Sequence, residues 1–113
     1  MILVETIKLN DLRKMSVKMS DPLVKGVVDI VLRKLVVDAD LHSDEEHFLL
    51  EQGSQQENLW EINLWPEYYG LDDFIEFDSM INIRPAQNNR SRGVEDVAIQ
   101  RIIKEIIKEK VYE

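Results

Sequence analysis

The 113-residue chain contains no cysteine, which excludes disulfides, thiolate metal sites and cysteine nucleophiles. It also lacks a long uncharged apolar run. Its most apolar stretch, residues 23–41, is interrupted by charged side chains such as Asp29 and Arg33, whereas a membrane-spanning helix needs about 20 nearly uncharged residues. The first eight residues lack the basic region and the cleavage site of a secretory signal. We therefore expect a cytoplasmic protein that does not contact a membrane.

Glycine and histidine are also scarce. The four glycines are too scattered to form a glycine-rich phosphate loop, and no serine lies in a Gly-x-Ser-x-Gly motif. Both histidines lie in one short segment, which leaves a hydrolase triad little to work with. These absences remove the common nucleotide-binding and serine-hydrolase motifs.

Basic residues are missing from the middle of the chain. Residues 35–78, which we call the acidic segment, carry 13 acidic side chains and no lysine or arginine. Residues 1–34 have a net charge of +3 and residues 79–113 one of +2. The acidic groups must therefore face water, a cation, or basic side chains of the flanking segments or of another chain. The overall charge of −8 argues against nucleic acid as a partner.

Hydrophobic spacing and turn residues predict the secondary structure. The surest element is a C-terminal amphipathic helix capped by Asp96, because isoleucines recur from Ile99 to Ile107 at helical spacing. The remaining patterns predict, in chain order, a strand at Ile2–Lys8, a helix from an Asn10 cap to Met19, a hairpin over 23–41 turning at Arg33-Lys34, a helix at Asp44–Gln52 capped by Ser43 and ended by Gly53, and paired strands at Leu59–Trp65 and Phe74–Arg84.

This order of elements indicates an α+β fold. We expect residues 1–113 to form one domain with a mainly antiparallel sheet of about five strands. The C-terminal helix and one or two further helices would pack mainly on one face of that sheet.

The first candidate site is the stretch 38–47, near the middle of which lies His42. Asp44 and Glu45 follow it closely, and carboxylate and imidazole groups of this density suit a divalent cation, to which Asp78 could add a ligand. The spacing fits neither an EF-hand nor a His-Glu-x-x-His zinc motif. The alternative is that these acids complement the positive end of the short helix.

The second candidate is the segment 84–93, which we call the arginine loop. Arg84, Arg90 and Arg92, with the amides of Asn88 and the preceding Asn82, could bind a phosphate, a carboxylate or an acidic partner. The alternative is a turn-rich loop whose arginines pair with the acidic middle of the chain.

The third candidate is the polar face of the second strand pair. Glu61 and Asn63 would lie beside Asp78, Asn82 and Arg84 and could form an acid–base pair or a metal cradle. The alternative is a solvated sheet face. The aromatic residues 65, 68 and 69 near the predicted hairpin tip could add an interface patch.

Several motifs together resemble a small prokaryotic domain family of unknown function. They are residues 42–46 (HSDEE), 53–60 (GSQQENLW), 75–85 (IEFDSMINIRP) and 89–91 (NRS). The resemblance implies no activity. It does imply that five residues share one surface, namely His42, Asp44, Asn82, Arg84 and Arg90.

Two functional hypotheses follow from these patterns. The first is a non-enzymatic binding or assembly module, a homodimer or a protein that binds a protein partner, which uses the acidic segment and the arginine loop. The alternative is a metal-dependent enzyme acting on a phosphate-bearing small molecule. It would hold the divalent metal with Asp44, Glu45 and Asp78, and the phosphate with the three arginines of the loop.

Overall fold

A five-stranded antiparallel sheet forms the centre of the computed structural model, which describes residues 1–113. The elements are, in chain order, β1 (Ile2–Leu3), β2 (Ile7–Lys8), α1 (Leu9–Ser16), β3 (Val24–Asp29), β4 (Lys34–Val37), α2 (His42–Glu51), β5 (Leu59–Leu64), β6 (Ile75–Glu76), α3 (Val97–Lys110) and β7 (Val111–Tyr112). The sheet has the strand order β1-β4-β3-β5-β6, and β2 and β7 form a separate parallel pair. The predicted α+β fold is confirmed.

Both faces of the sheet are covered. On one face, α1 and α3 contribute to a core of 18 buried apolar residues that includes Trp60 and Ile62 of β5. On the other face, Leu49 of α2 packs against a smaller cluster formed by Val27, Val36 and Leu59. Two of the three helices therefore share one face, and α2 lies alone on the opposite one. No helix has both the length and the apolar character needed to cross a membrane.

The predicted first hairpin is confirmed, with a longer turn than expected. Val28 faces Leu35, so the apolar set on even positions of β3 continues on odd positions of β4. The turn occupies residues 30–33, where Asp29 organises the backbone. Its Oδ1 accepts from the N–H groups of Val31 and Leu32, both at 2.9 Å, and its Oδ2 accepts from the Ser54 hydroxyl at 2.6 Å.

The helix ends agree with the sequence at α3 and only partly elsewhere. Asp96 caps α3 as predicted, with its Oδ1 accepting from Ala98 N at 2.8 Å. Gly53 follows α2 with a φ of 98°, a conformation that favours glycine. The predicted Ser43 cap is wrong, because α2 begins at His42 and its N-cap position is Leu41, which has no side chain able to cap.

The N-terminal elements also differ from the prediction. The expected strand at Ile2–Lys8 is divided, because β1 pairs with β4 while β2 pairs with β7 at the other end of the chain. Helix α1 begins without an Asn10 cap and ends at Ser16 rather than Met19, because the following amides bond three residues back in a tighter turn.

The predicted strand Phe74–Arg84 is wrong beyond Glu76. Residues Met80–Asn82 form a 3₁₀ turn instead, and Ile83 is 39% exposed rather than part of the core. The Asn82 side chain takes the place of a neighbouring strand: its Oδ1 accepts from Glu61 N at 3.0 Å, and its Nδ2 donates to Glu61 O at 2.9 Å. One amide side chain thus satisfies the edge of β5, so no continuous strand is needed there.

Candidate functional site

Arg84, predicted to bind an anion or a partner, is held within the molecule. Its Nε and one Nη atom each donate to a backbone carbonyl at 3.1 Å. The other Nη lies 3.1 Å from Oε2 of Glu61 and 3.6 Å from Oε2 of Glu46. The guanidinium also lies 4.8 Å from the centre of the Trp60 ring, a cation–π distance. The side chain is only 9% exposed, so Arg84 stabilises the fold and is not free for a ligand.

The predicted polar face of β5 is a buried polar layer, and its reading as a solvated surface is wrong. Glu61 and Asn82 are completely buried, and Asn63 is 6% exposed. Burial raises the pKa of Glu61 above its ordinary value, and a hydrogen bond with Glu46 raises it further. The neutral form of Glu61 is therefore favoured, although the nearby Arg84 guanidinium lowers its pKa in the opposite direction.

Asparagine side chains hold the arginine loop in place. Asn82 Nδ2 donates to the carbonyl of Arg92 at 3.1 Å, and Asn89 Nδ2 donates to the carbonyl of Asn82 at 2.7 Å. The backbone groups of Arg84 and Asn89 also pair with each other at 2.7 and 3.1 Å. Asn82 is thus part of the framework of the loop, with both ends of its side chain already hydrogen-bonded.

The backbone of the arginine loop already binds a carboxylate of this chain. Glu95 Oε2 accepts from the N–H groups of Arg90 at 2.6 Å and Ser91 at 2.8 Å, and these bonds lower the pKa of Glu95. Asn88 is exposed at a φ of 59°, in the turn that closes the loop. The Arg90 side chain is exposed and makes no hydrogen bond or ion pair. The N–H groups of Arg90 and Ser91 are therefore not available to a separate anion.

The four predicted metal ligands do not converge. His42 and Glu45 are buried, Asp44 is exposed, and Asp78 pairs with Arg92. Burial raises the pKa of Glu45 to about 10, so a metal ion bound there would first have to displace a proton. No three histidine, aspartate or glutamate side chains come together in a way that could hold a metal ion.

A pocket of about 360 Å³ at the start of α2 brings together residues from five separate segments. We call it the α2 pocket. Its polar lining includes Lys25 of β3, His42 and Ser43 of α2, Asn63 of β5, Asp78 after β6, and Arg92 of the arginine loop. The pocket therefore joins the acidic segment, the polar layer of the sheet and the arginine loop.

His42 has a fixed ring orientation in the α2 pocket. Its Nε2 lies 2.8 Å from the carbonyl oxygen of Ile62. Because a carbonyl only accepts, Nε2 carries the proton and Nδ1 is the free nitrogen. Burial is the main cause that lowers the pKa of His42 below its ordinary value of 6.5, and nearby Lys25 lowers it as well. His42 is therefore neutral at pH 7.

Asn63 presents an unsatisfied acceptor beside His42. Its Nδ2 donates to Glu76 Oε1 at 2.9 Å and to the carbonyl of Asp78 at 3.1 Å. Both partners are acceptors, so the orientation of the amide is determined. The remaining atom, Oδ1, is buried and has no hydrogen-bond partner. A buried carbonyl oxygen without a partner is costly and indicates that a donor belongs next to it.

The start of α2 supplies free donors to the same pocket. The backbone N–H groups of His42 and Ser43 make no hydrogen bond within the chain, because no side chain caps the helix. Such groups, together with the helix dipole, attract anions. Arg92 uses its Nε for Asp78 at 2.6 Å, and Lys25 uses one Nζ–H for the carbonyl of Asp40 at 2.7 Å. Both cations keep further N–H groups free.

The sequence identified some members of this pocket and missed others. His42, Asp78 and Arg92 were predicted as site residues, and the structure places all three in the α2 pocket. Lys25 and Asn63 were not predicted to act together, although they oppose each other in the β3–β5 register. Only that pairing, which is not visible in the local sequence, could have linked them.

The surface that the resemblance implied is divided in the structure. Asn82 and the largely buried side chain of Arg84 are hydrogen-bonded within the fold, and Arg90 projects into solvent. Asp44 lines a different depression from the α2 pocket, which His42 lines.

Comparison with protein families places the chain in one of them. A family model described as "Protein of unknown function (DUF5674)" matches residues 1–110. The chain belongs to this family. The resemblance to a small domain family of unknown function is thereby confirmed. Searches of curated proteins and of solved structures found no match. The family assigns no activity, so the function has to be argued from the α2 pocket itself.

Proposed function

We propose that the protein is a binding module that takes a small oxyanion, a phosphate or carboxylate group, into the α2 pocket. The observation that supports this most directly is the uncapped start of α2. Its first two residues, whose N–H groups have no partner in the chain, line a pocket that also contains Lys25 and Arg92. Backbone donors, a helix dipole and two cations form the kind of environment that recognises an oxyanion.

The charge around the pocket supports the same conclusion. The protein as a whole carries −8, yet the pocket lining has two cations and one carboxylate, that of Asp78. Asp78 is paired with Arg92 at 2.6 Å, which leaves Lys25 as the excess charge. A local positive field in an acidic protein favours the entry of a small anion over that of an extended polyanion.

The metal-dependent enzyme has no comparable support, because the residues it requires on the metal are dispersed. Asp44, Glu45 and Asp78 face three different environments. Self-association and a protein partner stay predictions from the uneven charge of the chain, and cytoplasmic location likewise.

Calorimetric titration with inorganic phosphate, sulfate and acetate tests the proposal. Arg92→Gln is expected to weaken binding about 10-fold or more, because a charged hydrogen bond contributes roughly 1.5–3 kcal/mol. Arg90→Gln is the matched control: it removes the same charge from the same loop, but its side chain lies outside the pocket. Equal binding by the two variants, or no binding of any anion by the native protein at millimolar concentration, would show that the proposal is wrong.

A further inference from the structure

We infer that the α2 pocket binds its anion together with one proton, which His42 takes up at Nδ1 and donates to Oδ1 of Asn63. This inference rests on the proposed function and describes how the same site is regulated. It would make anion binding stronger as the pH falls, even for an anion whose own charge does not change.

Two residues that line the α2 pocket, His42 and Asn63, each keep one acceptor atom without a hydrogen bond. His42 Nε2 is committed to Ile62 O at 2.8 Å, and the Asn63 amide is committed through Nδ2 to Glu76 and Asp78. In neutral His42 the free Nδ1 is an acceptor, and the neighbouring Asn63 Oδ1 is an acceptor that lacks a partner. A proton on Nδ1 converts this mismatch into a hydrogen bond between the two side chains.

The charged groups around His42 explain why the ring is neutral in the empty pocket. Burial, the largest cause, and Lys25 of β3 disfavour the charged ring. The bond to the Ile62 carbonyl, Asp78 after β6 and the hydrogen bond that a charged ring would donate to Asn63 favour it. The favourable effect of Asp78 is reduced by its ion pair with Arg92 at 2.6 Å.

The other carboxyl groups near His42 have little effect on whether its ring is charged. Glu76 of β6 is engaged with the Asn63 amide, and on α2 itself Glu45 is neutral because burial raises its pKa to about 10. Asp44 is exposed to water, which screens its charge. The group that can shift the balance is therefore the ligand.

A bound anion reverses the effect of Lys25. It would bring negative charge to the start of α2, where His42 is the first residue, and would partly neutralise Lys25 and Arg92. Opposite charge nearby favours the imidazolium. Proton and anion thus assist each other, and by linkage each strengthens the binding of the other to the same extent.

Titration with sulfate between pH 5.5 and 8 tests this inference, because sulfate keeps its charge over that range. Calorimetry in buffers of different ionisation enthalpy should show uptake approaching one proton, with affinity rising up to about tenfold per pH unit of acidification. His42→Gln keeps an N–H group for Ile62 and should bind sulfate without proton uptake. His47→Gln is the control, since His47, the one other histidine, is exposed and contacts Glu51; its proton uptake should equal that of the native protein.

The outcomes separate this inference from the proposed function. Sulfate binding that is weakened by Arg92→Gln but proceeds without proton uptake would overturn the role of His42 and leave the binding module intact. Proton uptake that persists in His42→Gln would overturn it as well. Absence of sulfate and phosphate binding in every variant would contradict the proposed function itself.

Discussion

Replacing Glu45 by glutamine is expected to stabilise the protein at neutral pH. Glu45 lies on α2 facing the sheet, is completely buried, and neither of its carboxyl oxygens has a hydrogen-bond partner. Burial raises its pKa from 4.5 to about 10. The folded protein therefore contains the neutral acid at pH 7, whereas the unfolded chain contains the carboxylate.

The magnitude follows from this difference in pKa. Because the folded-state pKa is raised, the contribution of Glu45 to stability is fully present below about pH 4.5 and is lost progressively as the pH rises toward 10. Each pH unit in this window costs about 1.4 kcal/mol, so folding at pH 7 costs roughly 3 kcal/mol for the uptake of the proton. Glutamine has no such cost, although its two amide hydrogens also need partners, which reduces the gain.

The pH dependence isolates the electrostatic part of the effect. Any change in packing adds a constant, whereas the advantage of Glu45→Gln over the native protein should grow by about 4 kcal/mol between pH 5 and pH 8. Urea unfolding followed by the fluorescence of Trp60 and Trp65 measures it. Glu105→Gln, at an exposed position on α3, is the control and should show no growth. A constant difference between Glu45→Gln and the native protein across this range would refute the reasoning.

Three further substitutions test interactions that hold the fold together, each by urea unfolding at pH 7. Asn82→Ala should destabilise the protein by about 3 kcal/mol, because it leaves both backbone groups of Glu61 unpaired; a loss below 1 kcal/mol would contradict the role of Asn82 as a substitute strand. Gly53→Ala should cost about 1 kcal/mol, owing to the φ of 98° with no steric clash at Cβ. Asp29→Ala should cost roughly 2 kcal/mol or more, since three hydrogen bonds are lost; combining it with Ser54→Ala should give less than the sum of the two effects.

Elements with strong local signals were predictable. The isoleucine spacing and the Asp96 cap define α3 without reference to the rest of the chain. The change of apolar face across the first hairpin also follows from local alternation, and the observed pairing of Val28 with Leu35 agrees with it. In both cases the interactions that determine the element lie within a few residues of one another, so the sequence pattern records them directly.

The segment after β6 could not be predicted, because its structure depends on distant partners. Alternating apolar and polar residues over 74–84 imitate a strand, but Asn82 reaches the backbone of Glu61 and ends the pairing of main chains. Asparagine has a low preference for strands, yet propensity alone does not reveal that its side chain substitutes for a strand. The same limit applies to Lys25 and Asn63, which meet only through the β3–β5 register.

The acidic segment shows how a formal charge count can mislead. Its 13 acids, with no base among residues 35–78, were expected to face water, a cation, or basic side chains of the flanking segments or of another chain. Arg84 does contact Glu46 and Glu61, but burial raises the pKa values of Glu61 and of the fully buried Glu45 and so favours their neutral forms. The segment therefore carries less negative charge at pH 7 than its composition states. This lowers the repulsion that an anion approaching the neighbouring α2 pocket would meet, and it makes the proposed binding of a small oxyanion compatible with an acidic protein.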